Sequence, residues 1–560
     1  MMEMPLDFTT HTVTARPTRR VLPSGAVTAL GLGLALGMAI TAPARNLSAQ
    51  PSPFVPLTDP AYEQIDQLVG SGLVRTVIYG LRPYTRREIA RLVTEADSLR
   101  AVGDRRPLSA ATTRVLDGLR ARFTADTLVR VAPQRQVDAE LVWLDSPERN
   151  IPSAPVGNLD DGTINPLLNS RAGRRYGQGL TLAIEPRVAI PLGRHLQFTV
   201  APRVVGGVAQ PQRFAQATLQ EATLGVKAWN LVAEVGRQPL QWGPGMDGGL
   251  MFSSSSRPLD MVRVRIDAPY RAPSVLKWLG LMRGTLLFAD LGAGQNFPHA
   301  KIGAYRLSGQ ITSYFEMSAQ VLVQGGGRGA PGTSLRERFI DFVPAFKYLM
   351  QDDTTQFSNK LAGWDMRFRI PAAQGLQLYW EAAFDDMDPR RWRSTGWQDG
   401  GHIFGASVAQ LGRGGALKAT AEFHHTGLRF YRHTVFSSGI AFNGTLLGSP
   451  LGPMGDAGVL RLVHDAGTGR RARLDLTVER RGGDLWSTTW DTPNADNFRF
   501  VVATSQPAEW RRRAVVHLER DAAAGETHAL DLGIEQVRAN GFVAGARRWQ
   551  ALVGVRTTWR

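Results

Sequence analysis

Three histidines are the residues whose type first suggests a metal site. His424 and His425 are adjacent, and His433 follows eight positions later. Adjacent residues on a strand point to opposite faces of the sheet, so His424 and His425 cannot converge on one ion. The pattern favours separate histidines in a lumen or at a rim, and we predict neither a metal nor a cofactor.

A run of four serines, Ser253–Ser256, with Asp260 close behind, suggests a nucleophile of the kind found in lipases. A hydrolase nucleophile usually stands in a Gly-x-Ser-x-Gly turn and needs a histidine as its base. The sequence has no such turn, and no histidine lies nearby. The serines therefore do not predict an enzyme, although a lipid hydrolase remains an alternative.

A cluster of carboxylates follows a predicted strand. Its members are Glu381, Asp385, Asp386 and Asp388. Two carboxylates can hydrolyse a glycosidic bond, and several oxygen ligands can hold calcium. The sequence favours a solvated turn balanced by the arginines that follow, Arg390, Arg391 and Arg393. Glu381, Asp385 and Asp386 are kept as candidates for contact with sugar hydroxyls.

The stretch 236–260 is the least regular part of the chain. Gly and Pro occupy half of its first fourteen positions, so neither a strand nor a helix can continue through it. Apolar alternating segments flank it on both sides, which predicts a structured excursion between two strands. Trp242 lies inside this stretch, where the ring either stacks on a sugar or packs the loop.

The amino end and the composition limit the class of protein. Residues 1–49 contain Arg16, Arg19 and Arg20, then an apolar run over 26–40 and small residues, which is typical of a secretory signal peptide. The chain has no cysteine and a net charge of +16. This balance suits a polyanionic partner such as acidic glycan or lipopolysaccharide phosphate. Export from the cytoplasm argues against a nucleic-acid partner, so none is predicted.

Residues 50–130 form a predicted small helical domain. Asp59 and Pro60 mark the start of one helix, Thr85 with Glu88 has capping-box spacing for a second, and Ser109 can cap a third. Three short amphipathic helices make a marginal core alone, so we expect them to dock on something larger.

From residue 131 to the end the apolar period is two. In 180–190 the even positions are mainly apolar and the odd ones mainly polar, and the pattern recurs in segments of about ten residues to Trp559. Segments of this length favour a transmembrane β-barrel over a soluble sandwich. We predict an all-β barrel of about 18 antiparallel strands over 131–560. Because the helical domain is expected in the periplasm, counting strands places 236–260 between the fifth and sixth strands, on the outer side.

Several segments together resemble the Wzi-type capsule assembly family of bacterial outer-membrane proteins. The segment from Tyr62 to Ala96 resembles the helical opening of that family. The central resemblance runs from Gly236 through Trp242-Gly-Pro-Gly245 to Arg257-Pro258. Weaker likenesses lie at Lys360–Asp365 and at Glu381 with Asp385-Asp386.

The resemblance implies an 18-stranded barrel, closed by periplasmic helices, that holds capsular or exopolysaccharide at the cell surface and is not an enzyme. On these motif positions we predict the following carbohydrate-binding residues: Arg237, Trp242, Asp247, Arg257, Glu381, Asp385 and Asp386. The expected partners are surface polysaccharide, outer-membrane lipids and the capsule export machinery, with the protein itself a monomer. A porin-like channel with a helical plug is the main alternative, and a lipid or glycan hydrolase is a third.

Overall fold

The computed structural model describes residues 50–560 apart from a set of short gaps. The gaps are 103–107, 124–132, 147–148, 151–162, 165, 169, 210–211, 272–273, 333–357, 386–391, 413, 434, 483–484, 491–497, 504–505 and 523–524. The predicted signal peptide, residues 1–49, lies outside the described residues, as do Asp386 and Asp388.

Three helices open the described chain. They are α1, Ala61–Gly70, α2, Arg86–Ala101, and α3, Ala110–Phe123. The predicted caps are present: the Glu88 amide donates to Thr85 Oγ1, the Thr112 amide donates to Ser109 Oγ, and the Ala61 amide donates to Asp59. The apolar stripes of the three helices meet in one small core. Among the described residues no helix is both long enough and apolar enough to cross a bilayer.

Eighteen long strands in the described residues close into an antiparallel barrel. They are β1 Gln134–Leu144, β2 Gly179–Leu192, β3 Leu196–Ala209, β4 Gln212–Ala228, β5 Leu231–Gln238, β6 Leu259–Ile266, β7 Leu281–Asp290, β8 Lys301–Gln310, β9 Phe315–Gly325, β10 Asn359–Ile370, β11 Leu376–Asp385, β12 Gly400–Leu411, β13 Leu417–Thr426, β14 Gly455–Asp465, β15 Arg470–Arg481, β16 Glu509–Asp521, β17 Glu526–Arg538 and β18 Arg547–Trp559. β18 pairs with β1, so the sheet has no free edge.

The two faces of the barrel follow the period of two. On β2, Leu180, Leu182 and Ile184 are 46%, 51% and 46% exposed, whereas Thr181 and Glu185 are buried. The apolar set therefore faces outward and the polar set faces the lumen, as predicted. The strand count and the alternation confirm the predicted transmembrane barrel.

The helices lie against the barrel end at which β1 begins and β18 ends, here called the helical end. Gln67 of α1 donates to the Gly415 carbonyl, and Arg114 of α3 donates to the Ala466 carbonyl, in the turns β12–β13 and β14–β15. Lys418 bonds Glu63 and Asp66 of α1 at 2.7 Å each. The predicted docking of the helices on a larger body is confirmed.

The opposite end, here called the loop end, carries the long connections. The segment 239–258 joins β5 to β6, which confirms its predicted place between the fifth and sixth strands. Segments 291–300 and 427–454 and a fourth helix, α4, Trp392–Asp399, belong to the same end. A short segment extends from the helices into the lumen, and the backbone of its residue Leu81 pairs with that of Trp242. The polypeptide that enters the lumen from the helical end therefore meets stretch 236–260, which enters from the loop end.

Candidate functional site

The glycine- and proline-rich stretch 236–260 folds back into the barrel. Its backbone closes on itself where the Trp242 amide and the Gly249 amide both donate to the Phe252 carbonyl, at 3.1 and 3.2 Å. A Cβ on Gly243 or on Gly249 would lie 2.4 Å from the Glu381 carboxylate. Glycine is needed at both places because the stretch passes directly over that side chain.

An apolar core anchors this stretch beneath segment 427–454. Trp242 is wholly buried and its ring meets Phe252 edge-on at 4.7 Å. Leu250, Phe430 and Tyr431 belong to the same buried cluster, and the Tyr431 hydroxyl donates to the Leu250 carbonyl at 2.5 Å. The indole of Trp242 therefore has no face available for sugar in this conformation.

Glu381 supports the stretch from the barrel wall. The Leu250 amide and Gln320 Nε2 donate to Glu381 Oε1 at 3.0 and 2.9 Å. Glu381 is fully buried and Asp385, on the same strand, is 4% exposed. Two residues predicted to bind carbohydrate therefore lie deep under the loop-end filling, and Asp386 lies outside the described residues.

Arg237 and Arg257 form a different group at the edge of the stretch. Arg237 donates to Asp260 at 2.8 Å, and both arginines donate to the Leu219 carbonyl, at 2.8 and 3.4 Å. Arg237 has the same parity on β5 as Val235, which is 50% exposed, so it belongs to the outward face. The predicted site residues are thus divided among the exterior, the buried loop filling and the lumen.

Asp247 is the predicted site residue that faces a cavity. A chamber of about 290 Å³, here called the luminal chamber, lies between the helices, the stretch and the wall formed by β1–β3 and β13–β18. Asp247 reaches into it and pairs with Arg461 at 3.1 Å, while Arg461 also bonds Asp475 at 2.7 Å. Arg461 therefore ties the stretch to the wall of the chamber.

Interlocking ion pairs form the loop-end wall of the chamber. Arg171 bridges Glu140 at 2.8 Å and Asp531 at 2.6 Å, and the Tyr176 hydroxyl donates to Glu140 at 2.7 Å. Burial alone lowers the pKa of Arg171, but the charges of Asp531 and Glu140 outweigh it and hold that pKa above its ordinary value. The guanidinium therefore stays charged and remains available to both carboxylates.

Two chamber cations are less tightly held than Arg171 and Arg461. Arg556 lines the chamber without a hydrogen bond or close ion pair to a described residue. Arg473 keeps 38% of its side chain exposed and forms a longer ion pair with Asp475, at 3.4 Å. Donors of this kind, set among carboxylates, can hold both the hydroxyls and the acid groups of a sugar.

The histidines and serines do not assemble into a reactive centre. His424 bonds Glu422 in the lumen at 2.8 Å, and His425 bonds Asp456 on the outer face at 2.8 Å, which confirms their opposite directions. Ser253 Oγ donates to the Gly448 carbonyl and Ser254 Oγ to the Asp247 carbonyl, so both hold the stretch in place. No group of three metal-ligating side chains occurs in the part of the chain that the structure describes.

The chamber residues that the sequence reasoning missed carried a usable signal. Glu185, Glu422, His424, Asp475 and Glu479 all occupy the polar positions of alternating strands, and all line the chamber. Their parity predicted that they face the lumen. What the alternation could not give was which part of the lumen is left empty once the loops and helices have filled the rest.

These features define a class: an outer-membrane β-barrel with an apolar outer band and a lumen filled from both ends. Residues 156–539 match the family described as capsule assembly protein Wzi. The match covers more than half of the chain, and the protein belongs to that family.

The chain is also similar to individual proteins. An uncharacterized 55.8 kDa protein in the cps region of Klebsiella pneumoniae is 28% identical over 162 residues. That match covers 28% of this chain and 30% of the relative, so the chain spans about a third of the length of the curated relative that it matches.

Among solved structures, the chain resembles Wzi, described as an outer-membrane, carbohydrate-binding β-barrel involved in group 1 capsule assembly in Escherichia coli. The TM-score is 0.61 at 18% identity, with 91% of this chain and 99% of that chain covered. OprD of Pseudomonas aeruginosa has a TM-score of 0.40 at 8% identity, covering 76% and 94% of the two chains. The first likeness supports the fold.

Proposed function

We propose that this protein binds capsular or exopolysaccharide and anchors it at the cell surface, as a carbohydrate-binding outer-membrane barrel. The observation that carries the proposal is a polar chamber, lined by arginines and carboxylates, inside a barrel of a capsule assembly family. The net charge of +16 suits an acidic glycan. The carbohydrate-binding description of the structurally similar barrel supports the same function.

In this proposal the helical end faces the periplasm and the loop end faces the outside. The first barrel strand begins and the last one ends at the helical end, and most of the short turns between described strands are found there, as is usual for the periplasmic side of bacterial barrels. The glycan approaches the loop end, near Asp247 and the segment 166–176. Trp242 serves to pack the loop, which is the role that its burial favours.

The protein acts as a binding protein without turnover and functions as a monomer. The capsule export machinery is its proposed source of polysaccharide, and outer-membrane lipids surround the barrel. Three of the residues that suggested a hydrolase, Ser253, Ser254 and Glu381, instead hold the stretch 236–260 in place.

The testing experiment compares cell-bound with released polysaccharide in a deletion strain that carries plasmid-borne variants. Wild type should restore the bound fraction, and the double variant R473A/R556A should lower it severalfold because two chamber cations are removed. The matched control R470A/R520A removes two exposed arginines elsewhere on β15 and β16 and should behave as wild type. An unchanged partition after gene deletion would refute the proposal.

A further inference from the structure

The outer face of β15–β18 carries a group of arginines at the loop end, here called the arginine patch: Arg480, Arg512, Arg538 and Arg547. Arg480 pairs across the sheet with Trp510, Trp510 with Arg538, and Arg538 with Arg547, so three of them lie on one row of cross-strand partners. Their strand neighbours of the same parity, such as Val478 and Ile534, are 48% and 51% exposed. The patch therefore points toward lipid.

The arginine patch lies at the boundary of the apolar band. Ten positions separate Arg480 from Arg470 at the other end of β15. That distance is about 33 Å of strand, or about 25 Å of barrel height at a tilt of about 40°. Arg512 lies two residues further inside the band than Trp510. Arginine in lipid surroundings is unfavourable unless an anion neutralises it.

Protein carboxylates do not supply that neutralisation. Within the described residues Arg512, Arg538 and Arg547 have no ion pair, and Arg480 reaches Asp456 at 3.6 Å while that carboxylate is already bonded to His425. Other charged residues on the outward face at the loop end are paired: Arg237 with Asp260, and Lys301 with Asp290. The arginine patch is an exception to this pairing.

An apolar groove runs from the patch along the outer wall. It is a shallow, open depression of about 660 Å³, and Arg512 and Trp549 lie on its border. Small outward residues make the depression: Ala421, Gly458 and Ala514 lie between larger neighbours such as Leu460, Ile534 and Trp549. A Cβ added at Gly458 would meet no atom within 4 Å, so the groove is open above it.

We propose that the arginine patch and this groove together bind one phosphorylated multi-acyl glycolipid of the outer leaflet, of the lipid A class. The arginines hold its phosphates, and the groove holds an acyl chain below them. Charge complementarity at the boundary of the band, with apolar volume directly beneath it, fits a lipid whose anionic head and acyl tail are joined. The assignment to the outer leaflet rests on the orientation proposed above.

Native mass spectrometry of the full-length barrel in detergent tests this proposal. The probe is hexa-acyl diphosphoryl lipid A, compared with the same lipid after removal of both phosphates and with phosphatidylglycerol. Wild type should retain one diphosphoryl lipid at least about tenfold better than either comparison lipid. R512E/R538E should lose about tenfold in retention, whereas R470E/R520E, the same charge change at the helical end, should retain the lipid as wild type does.

A second variant tests the contribution of the groove separately from that of the arginines. G458F fills it without changing any charge, and should weaken retention of the diphosphoryl lipid while the barrel keeps its heat-modifiable gel mobility. The proposal is overturned if R512E/R538E retains the lipid as well as wild type, or if the dephosphorylated lipid or phosphatidylglycerol binds equally well. It is also overturned if wild type is a dimer that G458F dissociates, because the groove is then an interface between copies. Since none of these outcomes depends on capsule, failure here leaves the glycan proposal standing.

Discussion

Trp242 is the residue on which the loop-end filling depends. It is fully buried, packs on Phe252, and pairs through its backbone with Leu81 from the helical end. One residue thus joins the stretch 236–260, through its backbone, to the segment that extends from the helices, and its side chain fills the buried cluster at that contact. A truncation here leaves a cavity at the contact of the two fillings.

We expect W242A to lower the free energy of unfolding by about 3–5 kcal/mol. The measurement is the midpoint of denaturation, with the folded fraction quantified from the heat-modifiable gel mobility. W278A, which removes an indole that is 63% exposed, is the matched control and should change the midpoint little. A W242A barrel of normal stability that has lost its bound polysaccharide would instead assign Trp242 to sugar recognition.

His433 gives segment 427–454 a dependence on pH. Its Nδ1 accepts the amides of Val435 and Phe436 at 3.1 and 3.2 Å, which requires a neutral ring. Burial, aided by the charges of Lys360 and Arg429, lowers the pKa of His433 to about 4. A histidine in the unfolded chain has a pKa of about 6.5, so the stabilisation is complete above that pH and is lost as pH falls toward 4.

Hydrogen exchange at the Val435 and Phe436 amides should show this loss. We expect protection, after correction for intrinsic rates, to decrease by about tenfold or more between pH 7 and pH 4. H433N retains an acceptor that does not titrate and should flatten the profile. Protection that is constant with pH in wild type would contradict the assigned role.

At the scale of elements, α1 is held to the barrel by a buried charge cluster. Lys418 of β13 meets Glu63 and Asp66, and Arg82 lies 3.4 Å from Asp66. Burial raises the pKa of Asp66, but the charges of Lys418 and Arg82 outweigh it and hold that pKa below its ordinary value. The contribution of Asp66 is therefore present at neutral pH and is lost as pH falls through that lowered pKa.

We expect K418E to destabilise the docking of α1 by about 3 kcal/mol or more, because three carboxylates then face one another in a buried place. Faster limited proteolysis within residues 61–101, in a barrel that remains heat-modifiable, would show it. K301E makes the same substitution in an exposed pair with Asp290 and should cost less than about 1 kcal/mol. Equal proteolysis of the two variants would count against the docking role.

At the scale of the whole molecule, the lumen is obstructed by two independent bodies. The helices and the segment behind them fill it from one end, and stretch 236–260 with segment 427–454 fills it from the other. The two meet where Leu81 pairs with Trp242. The luminal chamber lies beside these two bodies, and its volume of about 290 Å³ suits binding of a short segment of glycan better than diffusion.

Planar-bilayer recordings should therefore show no large single-channel steps for the wild-type protein. An open porin in the same membrane is the positive control, and heat-modifiable mobility of the inserted sample establishes that the barrel is folded. Stable, large steps from the intact protein would favour the porin-like channel over the anchor.

The sequence by itself determined the barrel and its two faces. Alternation is a local property: each strand carries its own division into outward apolar and inward polar residues, as Leu180 and Glu185 show. Helix caps such as Thr85 with Glu88 are equally local. The position of 236–260 between the fifth and sixth strands followed from counting such segments, and the family resemblance rested on short motifs.

Only the tertiary structure decided how the candidate site residues are distributed. The seven positions predicted as one carbohydrate site lie in different places. Arg237 and Arg257 lie at the outer edge of the stretch, and Asp247 faces the chamber. Trp242, Glu381 and Asp385 are buried, and Asp386 lies outside the described residues. Partners such as Arg461 and Asp247 are 214 positions apart, and nothing local relates them. Which part of a lumen stays empty depends on how distant loops pack inside it, and that packing is a property of the closed barrel as a whole.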